Sequence, residues 1–462
     1  MSSIQTTYES AARLDGPVLR RIFVLLLGGI MGILDATMVG VATDTLAVRF
    51  SANLATIGWV ASGYLLAVAA MVPVAGWAVG RFGAKRLWLS ALAVFLLGSL
   101  TAAFSWDIAS LIGFRVLQGL GAGFLEPLLL TMLARAAGPA RTGRVMGLMG
   151  VVLSLGPVLG PVLGGLVLSS LDWRWMFWIN LPIGALAFLG ALRLIPADDP
   201  GDADRFDVLG FLLLGPGFAL SMLGLARLGE EPGTLGAILP LLAGIALLAC
   251  YVPRALRGRR KPILNPRLFT NRGFTGAVAV MLFTGAAMFS ITYLFPLYYQ
   301  QLRGLGQFAA GLLIAPFGIG SAISMPLAGR LADRVGARGL AGSGAAVSVF
   351  VMLGLSFAGA DTGLGWVLAG LFLVGAAMGL VAAPTMGSLY RSLPEEQVAQ
   401  GSSALYMLNQ FGASFGVALV MLLMQGGAGY PGAAWWIAGA LLAVVLVARL
   451  LPRLALGEAH LR

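Results

Sequence analysis

The sequence predicts an all-α integral membrane protein with fourteen transmembrane helices. Three observations carry this. Only 11% of its 462 residues are charged while 59% are hydrophobic, too few charges to clothe a water-soluble surface. Apolar runs of about 20 residues recur from end to end, each able to cross roughly 30 Å of hydrocarbon as a helix. The alternating apolar and polar segments of a membrane β-barrel are absent.

In chain order the spans fall at 20–43, 56–80, 86–104, 108–134, 145–170, 174–195, 207–226, 234–256, 273–299, 308–329, 338–358, 364–389, 402–425 and 432–451. Gly and Pro inside them are compatible with membrane helices, where both are common. The polar first 20 residues lead into a full-length span, which predicts an uncleaved anchor rather than a signal peptide. With the N-terminus inside, cytoplasmic loops collect Arg81, Lys85 and Arg86; Arg135, Arg141 and Arg144; Arg254 through Arg272; and Arg330, Arg334 and Arg338. The other side keeps only Arg49, Arg174, Arg227 and Arg303. By the positive-inside rule both termini are cytoplasmic. Arginine far outnumbers lysine, as in GC-rich bacterial genomes, so the expected location is a bacterial inner (cytoplasmic) membrane.

The net charge of +11 sits in these short loops and forms no continuous basic face, which argues against nucleic acid as a partner. A lone Cys250 excludes an internal disulfide or a multi-cysteine metal site, and the one histidine, His460, lies in the polar tail.

An acidic, turn-rich linker at 196–207 and a basic, Pro-containing one at 257–272 divide the chain. The reading is an N-terminal six-helix bundle over 1–195, two inserted helices with their linkers over 196–272, and a C-terminal six-helix bundle with its tail over 273–462. GWAVGRFGAKR at 76–86 and GRLADRVGARG at 329–339 close the second span of each bundle in the same frame, the mark of an internal repeat.

Ionisable groups inside a bilayer cost about 2.5–3.5 kcal/mol or more each at a helix centre, and three lie well inside spans: Asp35, Arg115 and Glu126. At 1.5 Å per residue, Asp35 and Arg115 lie about 13 and 12 Å below the outer surface, level enough to pair. Glu126 follows Arg115 by almost three whole turns, on the same face but about 16 Å nearer the cytoplasm. Gln118 shares that face. These residues point to proton binding and release by Asp35 and Glu126, with Arg115 as counter-charge. The alternative is a static buried pair that fixes helix packing.

In the fifth span Gly156, Gly160 and Gly164 recur every four residues, while Pro157 and Pro161 remove backbone donors. The pattern predicts a bent helix that a neighbour approaches closely and slides against. Arg81, Gly83 and Arg86, with Asp333 and Arg334 in the second copy, suit tight turns whose charges pair across the inner face in one conformation. Ordinary topogenic charge accounts for the arginines equally well. Asp198, Asp199 and Asp202 spell the DDxxD spacing of membrane prenyltransferases, but no second Asp-rich site accompanies it, and a solvated linker is the better reading. There is no Walker loop for ATP and no filter-like ring of charge for a channel.

LDATMVGVATDTL (34–46), RVLQGLGAG (115–123), GPVLGPVLGG (156–165) and WRWMFWINLPIG (173–184) together resemble the major facilitator superfamily, and within it the drug:proton antiporters with fourteen transmembrane helices. The resemblance runs over most of the chain. It implies two six-helix bundles plus two inserted helices, alternating access, and proton-coupled export of amphipathic, often cationic, compounds. It also implies a proton role for Asp35 and a transporter rather than an enzyme. The N-terminal loop motif departs from the family pattern by carrying Gly80 where an aspartate is usual, which shifts the gating ion pair toward Asp333.

The expected working unit is therefore a monomer in a lipid bilayer, with protons and small amphipathic or cationic substrates as partners. It needs no cofactor, because the proton gradient supplies the energy. The expected cavity takes Gln118, Glu126, Phe289, Tyr293 and Asn409, with Phe283, Met288, Phe295 and Tyr298 as further candidates along the ninth span. Export of a lipid or lipid conjugate is the alternative on the same fold.

Overall fold

The computed structural model describes residues 15–138, 141–197, 205–258 and 261–452, and among these there is no strand. The side chains of Pro157, Pro161, Asp333 and Arg334 lie outside the described residues, as do His460 and the Asp198, Asp199 and Asp202 of the acidic linker. The helices are α1 Gly16–Val41, α2 Thr56–Phe82, α3 Ala84–Ala103, α4 Ile108–Ala137, α5 Thr142–Ser170, α6 Trp175–Leu194 and α7 Val208–Glu230. They continue as α8 Leu235–Arg257, α9 Arg272–Leu302, α10 Phe308–Ala332, α11 Ala337–Leu355, α12 Leu364–Ser392, α13 Glu395–Gln425 and α14 Gly429–Leu450. Thirteen are long and apolar enough to cross a membrane, and α5, with 29 residues, makes the fourteenth. Large apolar side chains such as Phe23, Leu186, Leu239, Phe350 and Trp366 stand exposed on the outer faces, a surface suited to lipid.

Several helices run past the hydrophobic stretch that announces them. The predicted span at 402–425 belongs to a helix starting at Glu395, after Pro394. Hydropathy marks where a helix crosses apolar medium, and Glu396 in the first turn of the longer helix is favoured there by the helix dipole.

The two halves repeat each other in three dimensions. In the first, α1 packs on α4, α5 and α6, α4 packs on α2 and α3, and α3 packs on α6. In the second, α9 packs on α12, α13 and α14, α12 packs on α10 and α11, and α11 packs on α14. The loop repeat shares one backbone geometry: Gly83 (φ 81°, ψ 153°) and Gly336 (φ 85°, ψ 163°) each end one helix and begin the next. Positive φ at both favours glycine over any L side chain.

The inserted helices α7 and α8 form a hairpin, and α7 lies against α2 and α13. Its ends are clamped by Arg254, whose Nη1 and Nη2 donate to Asp207 Oδ2 and Oδ1 at 2.7 and 2.5 Å. Asp207 also accepts from the Gly210 amide at the start of α7, so one buried carboxylate serves as N-cap and ion-pair partner.

Gly119, Gly121 and Gly123 set the packing of α4. A Cβ at Gly119 would lie 2.5 Å from the Tyr64 carbonyl oxygen and one at Gly123 2.7 Å from that of Val68, both in α2. One at Gly121 would lie 2.6 Å from the Phe95 amide of α3. Gly98 of α3 returns the contact, 2.6 Å from the Gln118 backbone. Backbones this close admit no side chain between them. Gly98→Val is expected to lower stability by about 1–3 kcal/mol and to displace Gln118, read as an earlier thermal unfolding midpoint of the detergent-solubilised protein. An unchanged midpoint would contradict the packing.

Candidate functional site

Asp35 and Arg115 meet as the depth argument predicts. Both are buried, at 1% and 0% exposure, and Arg115 Nη1 donates to Asp35 Oδ2. The same Nη1 reaches Gln118 Oε1 at 2.6 Å, and Gln118 Nε2 donates to Asp35 Oδ1 at 3.0 Å. A third donor comes from α6, where Asn180 Nδ2 bonds Asp35 Oδ1 at 2.8 Å and Ser99 Oγ at 3.0 Å. Ser99 in turn donates to the Phe177 carbonyl. Arg115 Nε donates to the Val60 carbonyl, and Nη2 is left without a hydrogen-bond partner. The guanidinium carbon sits 4.1 Å from the centre of the Tyr64 ring, a cation–π contact worth roughly 2 kcal/mol when desolvated.

The first turns of α6 pass through Ile179 with helical backbone angles (φ −62°, ψ −28°), and Asn180 presents its amide to Asp35. Trp173 and Phe177 meet edge to face at the start of α6, with Phe50 against Trp173. Asn180 lies inside WRWMFWINLPIG, so its signal was present, but a neutral amide does not stand out as a charge does.

A separate cavity of about 330 Å³ lies between the two halves. Its described lining comes from α1, α2, α4 and α5 on one side and α9, α10, α12 and α13 on the other, equivalent helices of the repeat. Glu126 is the charged member of that lining. Its carboxyl and the Tyr406 hydroxyl of α13 both line the cavity, from opposite sides of the boundary between halves. Six methionines (Met149, Met281, Met288, Met325, Met378 and Met386) form much of the apolar wall, with Phe289 and Tyr64. The polar contributions are Thr37, Thr284, Ser321, Asn409 and Gln410. Asn409 donates to the Met281 carbonyl at 2.9 Å, while the buried Thr284 hydroxyl has no partner.

The expected cavity thus needs correcting. Glu126, Phe289, Met288 and Asn409 line it. Gln118 does not, because the close contact of α3 and α4 turns it inward onto Asp35 and Arg115. Tyr293 packs at the edge of the apolar core of the second half, and Phe295 and Tyr298 lie within that core. Phe283 packs against a core cluster that draws on both halves. A helix with aromatics all round can offer only one narrow stripe to a central cavity.

The glycine stripe of α5 takes a close neighbour in α1. Gly156, Gly160 and Gly164 meet Ile33, Thr37 and Met38 of α1, inside their own half. The contact of α5 with the other half runs through Gly147 and Gly150, against Met325 and Pro326 of α10. The second seam is at Gly76 of α2, where a Cβ would lie 2.9 Å from the Gln400 Cα of α13. Between these seams Thr131 Oγ1 bonds Ser402 Oγ at 3.0 Å, and Tyr390 OH lies 3.1 Å from the same oxygen. All of these contacts belong to the end that carries Arg81, Lys85 and Arg135, the basic end. There α13 packs along Val72–Val74 and Ala75–Phe82 of α2. Arg81 and Arg86 are exposed, and none of the ion pairs among the described residues involves them. Among the described residues, buried hydroxyls and glycine contacts join the halves there.

A family model described as Major Facilitator Superfamily matches residues 25–417 and again 310–459. The chain is 36% identical over 427 residues to the multidrug resistance protein B homolog of Mycobacterium tuberculosis (strain ATCC 25618 / H37Rv), covering 89% of this chain and 77% of that one. It is 28% identical over 405 residues to the lincomycin resistance protein LmrB of Listeria innocua, covering 87% and 85%. Among solved structures, the human organic anion transporter MFSD10 (TETRAN) superposes with a TM-score of 0.67 at 16% identity, covering 94% of this chain and 100% of that one. The proton:xylose symporter XylE superposes with a TM-score of 0.64 at 16% identity, covering 95% of each.

Removing one partner of the buried pair leaves an uncompensated charge. Arg115→Gln is expected to cost about 3–5 kcal/mol. The double variant Asp35→Asn/Arg115→Gln should lose less than the sum of its singles, with a coupling of about 0.5–3 kcal/mol. Denaturant unfolding in detergent reads this, and additive losses would contradict it.

Proposed function

This chain belongs to the Major Facilitator Superfamily and is a membrane transporter rather than an enzyme; from that premise we propose that it exports amphipathic, cationic drugs or toxic metabolites in exchange for protons. The observation that carries this reading is the placement of Glu126: a carboxylate in an otherwise neutral, methionine-rich cavity between the two halves. A cation in such a low-dielectric pocket is drawn to a carboxylate far more strongly than in water. Polarisable methionine and aromatic walls accept apolar bodies of varied shape. The names of the multidrug and lincomycin resistance relatives support drugs as the substrate class.

In the proposed cycle the basic end faces the cytoplasm of a bacterium, with both termini there, as its arginine-rich loops favour. The halves meet at that end, so the cavity faces outward. Protons from outside neutralise Glu126 and Asp35 and release the cationic substrate. The proton-loaded halves then rock, and the protons leave to the cytoplasm as a new substrate enters. One chain contains both halves of the cavity, so a monomer suffices. The lipid-export alternative needs an opening toward the bilayer, and α7 covers the flank between α2 and α13.

The test is transport of tetraphenylphosphonium in proteoliposomes with an imposed pH gradient. Wild type should accumulate the cation against its gradient, Asp35→Asn should lose the gradient-driven component, and Glu126→Gln should lose it together with cation binding. If both variants still couple cation flux to the pH gradient, the assignment of the proton sites is wrong.

A further inference from the structure

The proton site and the substrate cavity are two places, and one side chain belongs to both. Asp35, Arg115, Gln118 and Asn180 are buried within the first half, and none of them lines the cavity. Tyr64 does line it, while the face of its ring takes the Arg115 guanidinium and its hydroxyl donates to the Gly32 carbonyl of α1 at 3.2 Å. Gly32 is itself a lining residue, three positions before Asp35. Gly119 holds the ring in place, since the Tyr64 backbone lies too close to it for any side chain to intervene.

The geometry points to Tyr64 as the partition between the buried carboxylate and the drug cavity, a positioning residue that decides when Asp35 communicates with Glu126. Three features support a movable wall over ordinary packing. Tyr64 is tied to α1 by a single hydrogen bond at its tip, so a shift of α1 against α2 releases it. Arg115 Nη2 has no hydrogen-bond partner, so on that side the aromatic face takes the cation instead of a fixed acceptor. The titratable and charged groups facing the cluster are few: Asp35 from α1, Arg115 from α4 and Tyr64 from α2, with Glu126 of α4 and Tyr406 of α13 on the cavity side. When Asp35 takes a proton, Arg115 keeps Gln118, the Val60 carbonyl and the Tyr64 ring, so the cation is held while its counter-charge is neutralised. A wall of this kind lets protons pass only when the halves rearrange, which keeps proton flow tied to substrate flow.

This inference rests on Asp35 being a proton site, and the test separates the two claims. The full-length protein in detergent is treated with dicyclohexylcarbodiimide in mildly acidic buffer, and modification is quantified by peptide mass spectrometry. Glu126, which lines the cavity, is the internal control. In wild type and Tyr64→Phe, Glu126 should be modified and Asp35 spared. In Tyr64→Leu, Asp35 modification should rise several-fold, and proteoliposomes should leak protons without substrate. Asp35 reacting as readily as Glu126 in wild type would overturn the partition without needing any variant. So would Tyr64→Leu leaving Asp35 unreactive and transport tightly coupled while Glu126 still reacts. Asp35→Asn retaining full coupling would instead remove Asp35 as the proton site, whatever its accessibility.

Discussion

A carboxylate and a guanidinium enclosed in the middle of a membrane protein must satisfy each other, and the first half is organised around that requirement. Neither Asp35 nor Arg115 could stay charged at that depth alone. The pair needs neutral donors and acceptors in fixed positions, and these come from α4 (Gln118), α6 (Asn180) and α2 (the Val60 carbonyl). Holding four helices to that precision requires backbones in near contact. This explains why Gly98, Gly119, Gly121 and Gly123 leave no room for a Cβ.

The cavity obeys a different logic. It is built between the halves from equivalent helices of the repeat, and its wall is soft where the cluster is rigid. Its inner closure relies on small residues and hydroxyls: Gly76 against Gln400, Gly147 and Gly150 against α10, and Ser402 between Thr131 and Tyr390. Such contacts can be exchanged for others at modest cost, because net hydrogen bonds contribute only about 0.5–1.5 kcal/mol each. Two states of similar energy are what alternating access requires. In the proposed cycle, a rigid, densely hydrogen-bonded cluster next to a loosely latched seam divides the work between binding a proton and moving.

Much of this was legible in the sequence, for identifiable reasons. Residue counting along a 1.5 Å rise was enough to place Asp35 level with Arg115, since helices in a bilayer have few options. The repeated loop was visible in Gly83 and Gly336, which share one positive-φ geometry. Side-chain direction was harder. Gln118 was assigned to the cavity because it shares a helix face with Glu126, but α3 presses so close that this part of the face opens into the bundle. The aromatics of α9 could not be sorted into lining and core without knowing how the helix is rotated. Tyr64, Tyr406 and Asn180 carry no charge, so nothing in a single sequence separates them from ordinary packing residues. The buried hydroxyls that join the halves, Thr131, Tyr390 and Ser402, leave almost no compositional trace.

The central claim is that protonation within the first half shifts the halves from closure at the basic end to opening there. Its most direct test is the distance between spin labels at Phe82 of α2 and Leu331 of α10, 47% and 43% exposed on opposite halves of that end, in a Cys250→Ala background. Pulsed electron resonance in lipid nanodiscs should show the distribution moving to longer distances as the pH falls, and Asp35→Asn should hold one distribution at every pH. A distribution that ignores pH in the parent protein, or that still follows it in Asp35→Asn, would contradict the account.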